Sequence, residues 1–191
     1  MNKKEHWKPG NMLYPIPAVM VSCGSVEKSN IITIAWAGTI CSNPAMVSIS
    51  IKKERYSYNI IKENKEFVIN LVTKDLVRQT DFCGVRSGKD IDKFKEMKLT
   101  PIKGQKVNAP IIDQSPLNIE CIVKEIIPLG SHDMFLAEVV NVTVDKRYMD
   151  DKGKFHLNKS DLIAYSHGEY FRLGEKLGKF GYSVKKKINR R

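Results

Sequence analysis

Between Lys28 and Lys52 no side chain is charged, and in that interval Gly38-Thr39-Ile40-Cys41-Ser42-Asn43-Pro44 sets two hydroxyls and a thiol among residues with turn chemistry. Hydroxyls and free backbone N–H groups, with no negative charge near them, suit a bound phosphate or an electron-rich ring edge. Directly downstream, Lys52-Lys53-Glu54-Arg55-Tyr56-Ser57 is basic and hydroxyl-bearing. A third stretch, Gly84-Val85-Arg86-Ser87-Gly88-Lys89-Asp90-Ile91-Asp92-Lys93-Phe94, reads as a glycine-bearing loop entering a helix with Asp90 as its cap. Such a loop places backbone N–H groups and a cation at a helix N-terminus, although an ordinary capped turn has the same signature. Cys41 reads either as a redox thiol or, with no second cysteine near it in sequence, as a small and weakly polar wall residue.

Several familiar sites are missing. The chain has no G-x-G-x-x-G opening a helix, no G-x-x-x-x-G-K-[ST] and no G-x-S-x-G, so neither a Rossmann unit, a P-loop nor a hydrolase elbow is supported. His6, His132, His156 and His167 are dispersed, and with no pair at metal-ligand spacing no metal site is expected. A surface or locally hydrogen-bonded imidazole is the default for each. His132, beside a hairpin turn, and His167, in an aromatic segment, are the two candidates for catalytic work. Without a catalytic set of side chains, an activity has to come from a cofactor that the protein positions.

The elements that must hold these residues read mainly as strands. Pro17 to Cys23 is a first strand. In Asn30 to Ile51, the alternation of Ile32, Ile34 and Trp36, then of Val47, Ile49 and Ile51, gives two more, joined by the polar Gly38–Pro44 loop. These three are expected to form an antiparallel meander. A transmembrane helix of roughly 20 residues would fit the length of that run. Its Asn30, Gly38, Asn43 and Pro44 would strand polar groups in lipid, so no membrane association is expected.

A short helix follows over Tyr58 to Asn64, a strand over Glu66 to Val72, and a helix from Lys74 to about Cys83 capped by Thr73. Leu117, Ile119, Cys121 and Val123 alternate with Asn118, Glu120 and Lys124, the pattern of a strand with one wet face, and Met134 to Val144 returns as its hairpin partner. Six or more strands with few, short helices define a mainly β protein, a partly closed antiparallel barrel. The stretch Asp161 to Gly174, extended by Gly178, Phe180, Gly181 and Tyr182, spaces aromatics with glycines. That texture suits the lining of a flat ligand, an adjoining subunit or core filling.

At 191 residues the chain suits one domain, assigned to 1–183, followed by a basic tail at 184–191. The net charge of +11 invites a nucleic-acid reading, but Lys185, Lys186, Lys187, Arg190 and Arg191 supply five of the eleven. The modest surplus on the body matches a small anionic ligand as well as RNA. Four widely spaced cysteines and an N-terminus with no apolar run after its lysines read as a cytoplasmic protein with reduced thiols and no signal peptide.

Four segments together resemble the flavin reductase-like family with an FMN-binding split barrel, and within it the flavoredoxin group. They are Asn30-Ile31-Ile32-Thr33-Ile34-Ala35-Trp36-Ala37-Gly38 continuing to Ser42-Asn43-Pro44; Arg55-Tyr56-Ser57; Ser87-Gly88-Lys89 with Asp92-Lys93-Phe94; and Tyr170-Phe171-Arg172-Leu173-Gly174 with Gly178-Lys179-Phe180-Gly181-Tyr182. Relatives commonly carry two prolines after the loop serine; here Ala45 follows Pro44.

The resemblance implies an antiparallel split β-barrel, a homodimer, and FMN held non-covalently near the subunit interface. Carried onto this sequence, it implies a cofactor set of Asn30, Thr33, Trp36, Ala37, Gly38, Thr39, Ile40, Cys41, Ser42, Lys53, Arg55, Ser57, Ser87 and Lys89. Thr39 to Ser42 would meet the flavin ring and ribityl chain, with Trp36 and Ala37 flanking it. Lys53, Arg55 and Ser57 would hold the phosphate, where a guanidinium makes a charge-assisted fork of hydrogen bonds. Lys89 would serve that end or the pyridine nucleotide, and His132 and Tyr165 to Phe171 would lie near the face where the donor docks. The leading expectation is an NAD(P)H-dependent flavin reductase, with NADH or NADPH passing hydride to FMN N5. The alternative is a flavoredoxin-type electron carrier reduced by a redox protein partner. Binding of single-stranded nucleic acid through exposed aromatics is the remote third.

Overall fold

The computed structural model describes residues 3–184; apart from Val184, the basic tail assigned to 184–191 lies outside the described residues. The elements in chain order are β1 (Ile16–Pro17), β2 (Val19–Gly24), β3 (Ser29–Ile34), β4 (Ala37–Ser42), β5 (Ala45–Ile51), α1 (Tyr56–Asn64) and β6 (Glu66–Leu71). Then come α2 (Val77–Val85), α3 (Lys93–Glu96), β7 (Pro101–Ile102), β8 (Ile111–Ile112), β9 (Leu117–Pro128), β10 (Asp133–Val144), β11 (Ile163–Ser166) and β12 (Glu169–Arg172).

Seven strands form one antiparallel sheet in the order β3-β2-β6-β9-β10-β5-β4. Alternation sends one face of nearly every strand to a common interior: Val21 from β2, Ile32 from β3, Ile49 from β5, Phe67 from β6, Cys121 from β9 and Phe135 from β10, joined by Tyr58 and Ile61 of α1. Side chains converging from strands all along a sheet mean that it has curled on itself into a barrel. Its end strands β3 and β4 do not pair with each other among the described residues, so the barrel is split between them. Outside it, α2 and α3 cover β2 and β3. Met20 and Ile31 pack there with Leu76, Cys83 and Phe94, which is why every residue of β2 is buried. A small sheet β1-β11-β12 flanks this layer.

The mainly β, split-barrel expectation holds, while several details differ. The meander does not form: β5 pairs with β10 and β4, and β3 with β2, because alternation fixes which face is buried but not which strand lies alongside. Most of the expected Gly38–Pro44 loop is strand β4, paired with β5 through a register shift between Thr39 and Cys41. Trp36 falls beyond the end of β3, half-exposed. The helix after β6 opens as a 3-10 turn, Lys74–Leu76, and the Thr73 side chain does not cap it.

The cap further on is Asp92, whose Oδ1 accepts from Lys95 N–H at 3.1 Å, not Asp90, and the helix it starts has four residues. The second face of β9 is wet at Lys124, as expected, but not over its first half. Asn118 and Glu120 are buried under the 103–115 segment, where Glu120 accepts backbone N–H groups from Lys106 (2.6 Å) and Val107 (3.2 Å).

Candidate functional site

A cleft of about 260 Å³ opens at the split of the barrel. β3 gives it Ile32, Thr33 and Ile34, the crossing segment gives Ala35 and Trp36, and the end of β5 gives Ser50 and Ile51. Tyr14 and Tyr165 wall the other side, and His132 comes from the β9–β10 turn. Its lining carries no carboxylate, and Lys52 and Arg55 border it. The His132 ring meets Trp36 edge-on with centroids 4.4 Å apart, and its Nδ1 lies 2.9 Å from Ser131 Oγ. Burial first, and then the charge of Lys52, hold His132 below the ordinary histidine value, which favours the neutral imidazole.

Ile32 and Arg55 also line a second cavity of about 210 Å³, so the two spaces adjoin. Here β3 contributes Asn30, the start of α1 contributes Ser57, and the loop after α2 contributes Arg86, Ser87 and Gly88. Asn30 Nδ2 donates to Ser57 Oγ at 2.7 Å, locking β3 to α1. The loop passes so close that a Cβ on Gly88 would lie 1.9 Å from Asn30 Oδ1, which is why a glycine stands there. A neighbouring hollow of about 260 Å³ adds Lys53 and Lys89 on the far side of Arg55 and Ser87. Asp133 fixes that edge: its Oδ2 accepts from Tyr58 OH at 2.6 Å, its Oδ1 lies 3.4 Å from Lys53 Nζ, and these contacts hold its carboxyl below the usual range.

Of the residues expected from sequence, Thr33, Trp36, Arg55 and His132 meet at the cleft, and Asn30, Arg55, Ser57 and Ser87 at the cavity beside it. Lys53 and Lys89 stand one step outside. Gly38, Thr39, Ile40, Cys41 and Ser42 run along edge strand β4 and line none of these spaces in the single chain, and Ala37 begins that strand. His167 sits in the β11–β12 turn, where it and Gly168 take φ of 49° and 88°. It packs on Tyr14 at 4.7 Å and does not line the cleft. Arg86 and Lys93 also line the cavity and were not among the expected site residues, although both lie in the Gly84–Phe94 run.

A carboxylate-free slot walled by aromatics, opening onto a pocket with three cations, suits a flat electron-accepting ring with an anionic tail. Glu54, the acid at the cavity rim, is 3.9 Å from Lys52. Residues 12–174 match the model of the flavin reductase like domain, and the chain belongs to that family, one of flavoproteins that includes the flavoredoxins. It is similar to flavoredoxin of Desulfovibrio vulgaris (Miyazaki F), with a TM-score of 0.88 and 32% identity over 95% of this chain and 100% of that one. Flavoredoxin from Methanosarcina acetivorans gives 0.84 and 27% over the same shares, 95% and 100%. An uncharacterized protein of Archaeoglobus fulgidus is 31% identical over 159 residues, 83% of this chain and 88% of its own. No helix among the described residues is long and apolar enough to cross a membrane.

Proposed function

We propose that this protein is an NAD(P)H-dependent reductase that holds FMN non-covalently, takes hydride from NADH or NADPH, and passes the electrons to an acceptor. The observation that carries the reading is the adjoining pair of spaces: a carboxylate-free aromatic slot at Trp36, Thr33 and Tyr165 beside the cationic pocket at Arg55, Ser57, Arg86 and Ser87. Bound there, FMN would supply hydride acceptance at N5, chemistry that no side chain in the site provides. The chain's own part is positioning and electrostatics. Arg55 and Arg86 would grip the phosphate, Trp36 and Tyr165 would flank the ring and keep water from it, and Lys52 would favour charge gained at its edge. His132, which lines the slot, would hydrogen-bond the incoming nicotinamide.

A homodimer belongs to the same reading. β4 is an edge strand with Ile40 45% exposed, and beyond β12 Leu177, Phe180 and Tyr182 are exposed, surface that a second copy would cover. Thr39 to Ser42 would then face a flavin at the interface. The test of the function is donor oxidation by purified protein with FMN. Saturable, protein-dependent consumption of NADH or NADPH is expected, and a rate no higher than that of free flavin overturns the proposal. The likeness to two flavoredoxins favours a second reading, an electron carrier reduced by a protein partner. That reading expects bound FMN with no nicotinamide turnover, and rapid NADH oxidation would dispose of it.

A further inference from the structure

Lys93 is buried, at 4% exposure, beneath the cationic end of the site. Its Nζ donates to the carbonyls of Ile31 in β3 (2.7 Å) and Cys83 in α2 (2.8 Å). An ammonium has three N–H donors, so one remains for the cavity that Lys93 lines. Among the described residues no carboxylate pairs with it. The adjacent acid, Asp92, is turned to the backbone of Lys95 instead. A buried charge without an opposite charge is costly, and here Arg55 adds to the cost. Burial foremost draws the Lys93 pKa down, against an upward pull from Cys83 and then Cys23, and Arg55, the smallest of the four influences, acts with burial. Bridging two carbonyls does not explain the charge, because a neutral amide donates as well. What the arrangement lacks is an anion.

We propose that Lys93 is the buried counter-charge for the phosphate of the bound ligand, and that it makes the site prefer a phosphorylated flavin to an unphosphorylated one. This rests on the FMN reading and adds to it a specificity-determining residue. The ring end makes the contacts that FMN and riboflavin share. The phosphate end, with Lys93 below and Arg55 and Arg86 beside it, makes the contacts that only FMN has.

The test compares wild type with Lys93→Gln, which keeps side-chain N–H donors and loses the charge, and Lys93→Met, which loses both. Dissociation constants are measured for FMN and riboflavin, and thermal midpoints with and without inorganic phosphate. Both variants are expected to lose about 10- to 100-fold of the preference for FMN, with riboflavin affinity held within about twofold. Inorganic phosphate should raise the wild-type midpoint and leave those of the variants unmoved. Lys93→Gln retaining the full preference for FMN overturns the proposal, and so does an equal weakening of both flavins, which marks a merely structural lysine. If Lys93→Met fails to fold, Lys93→Gln decides. If wild type binds neither flavin, the FMN reading fails by itself: phosphate stabilisation lost in Lys93→Gln still upholds Lys93 as the anion's partner, and its absence from wild type or persistence in the variant rejects it.

Discussion

Glu120 is fully buried, yet its carboxyl stays below the usual glutamate range. Burial alone would push it up. The Asn141 amide at 2.7 Å and the backbone N–H groups of Lys106 and Val107 more than offset that and keep the charged form. Because the folded value is depressed, the contribution of Glu120 is present above its unfolded value of about 4.3 and is lost as pH falls through the lower folded value. Glu120→Gln, which sets an amide N–H₂ against one of these donors, is expected to cost about 1–3 kcal/mol in urea unfolding at pH 7 and to lessen the loss of stability on acidification. A variant as stable as wild type, with the same acid profile, would show that the 103–115 segment is held by other contacts. At the site, Gly88→Ala should force Asn30 from Ser57 and cost about 1–3 kcal/mol in thermal unfolding, since both polar groups are buried. An unchanged midpoint would mean the Ser87–Gly88 loop yields instead.

At the scale of elements, α1 and β10 lock the barrel interior together. Phe135, at 0% exposure, meets Tyr58 edge-on with centroids 5.5 Å apart. Phe135→Ala is expected to cost about 3–5 kcal/mol in denaturant unfolding, and a loss under 1 kcal/mol would place the core elsewhere. The β9–β10 hairpin was legible because Leu117 to Val123 alternate, and β2 because Pro17 to Cys23 is a short, mostly apolar run. Other features depended on partners distant in sequence. Asn118 and Glu120 look like solvent residues until the 103–115 segment lies over them, and β5 finds β10 rather than β3. Strand β4 was hidden by its own composition, since Gly38, Thr39 and Ser42 carry turn chemistry while pairing with β5 makes them a strand. Within the site, Arg55, Ser57 and Ser87 stood out as cations and hydroxyls in marked loops. Lys93 did not, because a lysine in a helix reads as a surface residue and its burial arises only where α2 and β3 close over it.

Taken whole, the molecule is a curled sheet left open at one seam, and the seam is where the site lies. β3 and the end of β5 line the cleft there, the aromatics of Tyr14 and Tyr165 stand beside it, and the Arg55 and Arg86 pocket adjoins it. Every part of the proposed activity depends on a flavin seated in that seam. The most direct test is the absorption spectrum of the freshly purified protein, before and after incubation with excess FMN, followed by denaturation and identification of what is released. The expected result is a yellow protein, or one that turns yellow on incubation, that yields free FMN when unfolded. Protein that stays colourless in excess FMN, with no flavin recovered on denaturation, contradicts the account.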